Sequence, residues 1–317
     1  MSAPLASRLG PRWMDDLFAH SLLVVTGKGG VGKSTVAAAL GLAADRRGLR
    51  TIVVEVAARD DLSRALGASD AGGVYAERAV GDRLHHISID PQRAMAEYLR
   101  QQLPIGAVAP LLAHSRIFTA LSAATPGMRE LITIGKVWEL AQHERRARGS
   151  RPYDLVVLDA PATGHGLAML QAPGTFAAVA RVGPVAKQGR AVASFLGDSR
   201  QTAVLAVSTA EEMPVTETLE LRARLRAGLG LDLSLVVVNA VVSHRFSGDD
   251  ERTLQAAPPS PARHAALFAA IWARHQRRQI SRLRRGLREV PLVTLPFVFD
   301  SALDATALES LSWELVR

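Results

Sequence analysis

The stretch TGKGGVGKST, residues 26–35, carries the first chemistry that can be read from this chain. Gly27, Gly29, Gly30 and Gly32 permit the backbone torsions that turn consecutive N–H groups inward around an anion. Val31 completes the loop, and a helix starting near Lys33 would add its positive dipole end. In such a loop Lys33 reaches the β- and γ-phosphates of a nucleotide and the Ser34 hydroxyl ligates Mg2+, with Thr35 joining the nucleotide-binding set. Lys28 is different. A single subunit does not need it to hold phosphate, yet two of the chain's four lysines (28, 33, 136 and 187) fall within this loop. A second stretch, YDLVVLDAPATGHGLAMLQAP at 153–173, ends an apolar run on Asp159, which is placed to hold a Mg2+-bound water.

The elements that must position these groups are legible as short β-branched runs alternating with helical patterns, the signature of βαβ units and a parallel sheet. Candidate strands are Ser21–Thr26, Thr51–Val56, Leu84–Asp90, Asp154–Asp159, Ala203–Ser208, Ser234–Asn239 and Pro291–Leu295. Most are nearly continuous Val, Leu and Ile, as expected of strands covered on both faces. Two stretches break the rhythm. Residues 91–142 are strandless, with helical patterns punctuated by Pro104, Pro110 and Pro126. Residues 246–289 open as a polar, Pro-rich loop and continue as a basic helix. The expectation is one α/β domain over 1–317, with a core of about 20–90, 150–242 and 290–317 and helical insertions of about 91–145 and 246–289.

Composition narrows the classes. There is no cysteine among the 317 residues, which excludes disulfides, thiolate zinc sites, iron–sulfur clusters and thiol catalysis. No apolar run approaches the roughly 18 residues of a membrane span. The first twenty residues lack a secretory core, so the cytoplasm is the expected compartment, with the membrane surface open as a peripheral site. The net charge is +8, and 34 of the 38 basic residues are arginine. A GC-rich coding sequence produces that bias unaided; a functional basic surface is the alternative. Eight arginines and no acid lie within 263–288, beside Ile280, Leu283 and Leu287 at helical spacing. That segment reads either as a solvated face of a packed helix or as a surface for lipid, nucleic acid or an acidic protein.

GKGGVGKST resembles the deviant Walker A loop of the SIMIBI-type P-loop NTPases, and YDLVVLDAPATGHG resembles the D-T-A-P-T-G-H switch of the ArsA family, the arsenite-pump and tail-anchored-protein-targeting ATPases. Asp159, Thr163, Gly164 and His165 keep that pattern; Ala160, Pro161 and Ala162 depart from it. VSTAEEMPVTETLEL is similar to a family segment that includes Glu211, Glu217 and Thr218, and LVVVNAVV to its V-V-N element. TPGMRE resembles the entry to a helix of the client-binding insertion, and VPLVTLPFVFD the last strand and the loop beside adenine. The resemblance implies a Mg2+-dependent ATPase, with Asn239 at the adenine. It implies ATP held at a dimer interface, homomeric or with a related subunit, where Lys28 serves the nucleotide of the facing chain much as an arginine finger does. It implies a helical region that moves against a protein client or membrane partner. Two other readings stay open: an ATP-gated partitioning ATPase that holds DNA, and a weakly active subunit of a heterodimer.

Two departures qualify the resemblance. Without cysteine, neither the zinc clamp of the targeting ATPases nor thiolate-bound arsenite is available. The family's first switch also places a water-positioning Asp 24 residues after the Lys33 position, where this chain has Ala57. Glu55 lies two residues earlier on the same strand and the same face. It is the candidate to order the Mg2+-bound water or, with its longer side chain, to assist the attack, with Asp60 and Asp61 in the following loop as less constrained candidates; the other reading is a buried partner of Arg59 or another arginine.

Overall fold

In the computed structural model, the described residues are 13–56, 61–67, 75–102, 127–145, 150–180, 183–299 and 304–316. They build an eight-stranded sheet in the order β3-β4-β2-β5-β1-β6-β7-β8. The strands are β1 (Leu22–Gly27), β2 (Thr51–Val56), β3 (Arg78–Ala79), β4 (Leu84–Ile89), β5 (Leu155–Asp159), β6 (Thr202–Thr209), β7 (Leu233–Val241) and β8 (Leu292–Pro296). All neighbouring pairs are parallel except β3 against β4. The seven expected strands are present with ends shifted by two residues at most. The two-residue β3 was not expected, because so short an edge carries no periodicity of its own.

The strands are apolar throughout because both faces are covered. On one face α1 (Trp13–Phe18), α2 (Lys33–Arg46) and α11 (Ala305–Val316) pack on Leu23, Val25, Val53, Val157 and Leu205. A three-turn-or-longer α2 fits there because it is built of small residues, Ala37, Ala38, Ala39, Ala43 and Ala44, all fully buried. The short α3 (Asp61–Ala65) contributes Leu62 to the same cluster. On the other face α5 (Met128–Leu140), α6 (Thr163–Ala180), α7 (Pro184–Gly197), α8 (Glu212–Leu229) and α10 (Pro261–Gly286) cover Leu22, Val24, Val54, Leu158 and Val236, and Ala94 of α4 (Pro91–Gln102) joins them.

Of the stretches expected to be insertions, α4 and α5 are helices as read, and the apolar 105–124 between them lies outside the described residues, as do Ala57 and Asp60. The stretch after Phe246 is corrected. Its first half is not a loop but α9 (Gly248–Ala256), started by a reciprocal capping box between Ser247 and Asp250. The S-x-x-D spacing was the available signal, and the nearby prolines obscured it. In α10, Ile280, Leu283 and Leu287 are buried, so the apolar stripe is a packing face. Arg263, Arg274 and Arg282 are also engaged: with Leu254 O and Gln255 O, with Glu251, and with Glu212 O and Thr216, respectively. Arg277, Arg278, Arg285 and Arg288 face solvent. No described helix is long and apolar enough to cross a membrane.

A buried polar network ties the bases of α4 and α5 to the sheet. Arg145, its side chain 1% exposed, bonds Glu77 at 2.6 Å and Glu139 at 3.0 Å. Lys136 bridges Glu139 and Glu97, while the Tyr75 and Tyr153 hydroxyls donate to Glu97 and Glu77. Burial pushes the Glu77 and Glu139 carboxyls up, but Arg145, Tyr153 and Lys136 together hold both below the usual carboxylate range.

Candidate functional site

The loop between β1 and α2 sits at the carboxyl end of the sheet, with β5 on one side of β1 and β6 on the other. This is where open α/β sheets bind ligands. Its shape depends on two glycines in particular. A Cβ on Gly27 would lie 2.1 Å from Val207 O, and one on Gly32 would lie 2.2 Å from Asn239 Nδ2. Gly27, Gly30 and Gly32 have positive φ of 151°, 83° and 89°; Gly29, expected to share that role, does not.

Gly32 caps α2 without any side-chain hydrogen bond to the helix, and the first turn has no acid. The leading amides of α2 and its positive end are therefore left to an anion. Lys33 Nζ donates to Lys28 O at 3.0 Å, lying back over the loop. Ser34 Oγ donates to Asp159 Oδ2 at 2.5 Å. A hydroxyl and a carboxylate, both hard oxygen donors, thus meet beside the start of α2, a set that suits Mg2+. Among the described residues no three His, Asp or Glu side chains gather as a metal cage. Thr163 Oγ1, four residues beyond Asp159, is buried without a hydrogen-bond partner among the described residues, and His165 is exposed.

Lys28 points away from Lys33, across to α8, where its Nζ forms an ion pair with Glu217. Both side chains are about one-third exposed, 31% and 32%. An open hollow of about 360 Å³ lies between residues 28–31 and the turn into α8, which contributes Thr209, Glu211 and Met213. Glu217 was noticed in the sequence only as part of a family segment, and nothing in its spacing announced a pairing with Lys28. Asn239, at the end of β7, donates to Val31 O at 3.0 Å and so braces the loop from the β7 side.

Glu55 stands in register with Asp159 on β5 and with Ser88 on β4. It is 2% exposed. Its described partners are His86, whose Nε2 lies 2.9 Å from Oε2, and the backbone N–H of Leu62 at 3.3 Å. Arg59 lies outside the described residues, so the described partner of this carboxylate is a histidine rather than an arginine. His86 escaped sequence reading because the adjacent histidines of HHISI match no motif.

A sequence model of the anion-transporting ATPase family matches residues 20–183. The ATPase BagA of Mycobacterium tuberculosis is 33% identical over 244 residues, 75% of this chain and 70% of that protein. An arsenical pump-driving ATPase of Acidiphilium multivorum is 26% identical over 304 residues, 91% of this chain but 48% of its own length. ATPase GET3C of Arabidopsis thaliana is 29% identical over 181 residues, 53% of this chain and 45% of that protein.

Proposed function

This chain belongs to the anion-transporting ATPase (ArsA) family and is an ATPase; from that premise we propose that it binds Mg·ATP on the 26–35 loop, at an interface shared with a second subunit. The observation that carries the reading is the pair of lysines. Lys33 lies over the loop that would hold the phosphates. Lys28 is directed outward, to a partly exposed ion pair at the rim of an open hollow. A residue of that kind is available to another chain.

In this reading the loop amides, the start of α2 and Lys33 take up the charge of the β- and γ-phosphates. Ser34 and Asp159 would hold Mg2+, the latter through a water, and the ion would supply further neutralisation of the phosphoryl oxygens. Asn239 borders the nucleotide on the β7 side. Glu55 orients the attacking water, standing in for the carboxylate absent at Ala57. Water adds to the γ-phosphorus, the bond to the β–γ bridging oxygen breaks, and ADP and phosphate leave. Lys28 of the facing subunit offsets charge on the phosphoryl group as that bond breaks.

The helices flanking 105–124 are suited to relay this change. Helix α4 leaves the sheet directly after β4, the strand beside Glu55, and Glu97 and Lys136 lock α4 to α5. Helical motion against an apolar protein client or a membrane partner follows from that linkage. The exposed arginines of α10 favour a second reading, ATP-gated DNA retention, which predicts binding that falls steeply with salt. The test of the first is Lys28→Ala. It should leave ATP affinity within a few-fold and reduce hydrolysis by about 10³ or more, the scale of fingers supplied in trans. Equal rates in both proteins, with neither dimerising on ATP, would show the site to be complete within one chain.

A further inference from the structure

The polar row at the carboxyl ends of β4, β2 and β5 contains a side chain that the steps above do not use. Alternation along the strands sends His86, Ser88, Glu55 and Asp159 to the same face as α2. Asp159 is engaged by Ser34. Glu55 leans the other way, to His86 and Leu62 N, although Asp159 is its register neighbour.

His86 is an unusual occupant for its position. It is 0% exposed, and its Nδ1 has no hydrogen-bond partner among the described residues. A valine or leucine would fill this strand position without burying a polar ring nitrogen, which is costly when unpaired. What the imidazole offers that an aliphatic chain does not is a donor to the Glu55 carboxylate. With the Glu55 carboxylate accepting, Nε2 is the donor.

We propose that His86 is a positioning residue for hydrolysis: it fixes Oε2 of Glu55, holds the carboxylate away from Asp159, and leaves Oε1 as the oxygen that orients the attacking water. Leu62 N, at the start of the segment following 57–60, provides the second anchor on the same oxygen. The inference rests on the reading of Glu55 as the water-orienting group. Among the described residues, losing the histidine leaves the carboxylate held by the 3.3 Å contact from Leu62 N, with its terminal torsions less restrained. Misplacement of a catalytic group by about 1 Å costs up to about 10²-fold in rate.

The test compares wild type, His86→Leu, His86→Gln, Glu55→Gln and the His86→Leu/Glu55→Gln double variant. It measures kcat, the ATP dissociation constant, the thermal midpoint and the imidazole Nε2–H resonance. His86→Leu is expected to lower kcat by about 10–100-fold with ATP affinity within about two-fold. His86→Gln, which carries an N–H at similar reach, should recover most of that loss. In the Glu55→Gln background His86→Leu should add nothing, and Glu55→Gln should shift the His86 resonance. If Glu55→Gln is slow but His86→Leu runs at the wild-type rate, or if the two losses multiply, His86 does not act through Glu55. If Glu55→Gln itself runs at the wild-type rate, the reading of Glu55 falls and this inference with it. Should His86→Leu not fold, His86→Gln in both backgrounds and the resonance shift decide the matter.

Discussion

For Lys28 to reach a facing subunit's nucleotide it must first leave Glu217, so Glu217→Gln is expected to speed the ATPase rather than slow it. The magnitude follows from the exposure of the pair. With both side chains about one-third accessible, the contact belongs with partly screened ion pairs worth about 0.5–1 kcal/mol. Glutamine keeps the length and a hydrogen-bond acceptor but removes the charge, so most of that stabilisation of the parked state is lost. The shared state then gains about 0.5–1 kcal/mol, equivalent to about a two- to five-fold rise in rate where closure limits turnover. The assay is steady-state phosphate release at protein concentrations below the dimerisation midpoint, repeated at 50 and 500 mM salt. Added salt should raise the wild-type rate toward the variant's, because it screens the same pair. A fall in rate on Glu217→Gln, with ATP affinity kept, would refute the reasoning and make Glu217 part of the working site.

Three further outcomes are expected. Gly32→Ala should abolish ATP binding in calorimetry, since its Cβ would lie 2.2 Å from Asn239 Nδ2 at a φ of 89°. Arg145→Met should lower the thermal midpoint at pH 7, because it removes the guanidinium shared by the buried Glu139 and the partly exposed Glu77, at a cost of up to about 3–5 kcal/mol. Both carboxyls are depressed in the folded chain. Their contribution is therefore full above the ordinary carboxylate range and lost as pH falls through the folded values, so the deficit of Arg145→Met should shrink below about pH 4. ATPase rates with and without arsenite or antimonite should coincide, since the chain has no thiol; strong stimulation would reveal a non-thiolate metalloid site.

The sheet was legible because strands covered on both faces must be apolar, and runs such as TIVVEV and LVVLD have few other uses. The glycine-rich turn between β1 and α2 was legible because its glycines and lysine are local in sequence. What escaped reading was non-local or faint. Lys28 and Glu217 are separated by 189 positions, and Glu55 and His86 by 31 on neighbouring strands; only the register brings the latter together. Arg145 and Glu77 are 68 positions apart and carry no motif, and only the fold brings the buried Arg145 side chain against Glu77. Helix α9 was masked by prolines although its Ser247–Asp250 cap was present in the sequence.

The central claim, a nucleotide site completed by the neighbour's lysine, is tested most directly by mixing two inactive variants. Lys28→Ala keeps Lys33, Ser34 and Asp159 but cannot serve its partner. Asp159→Ala loses its own site but keeps Lys28. In a mixed dimer the first chain's site receives the second chain's lysine, so one of its two sites is whole. Random pairing makes about half the dimers mixed, and the mixture should regain about one quarter of the wild-type ATPase rate. A mixture as inactive as either variant alone, under conditions where mixed dimers are shown to form, would contradict the account.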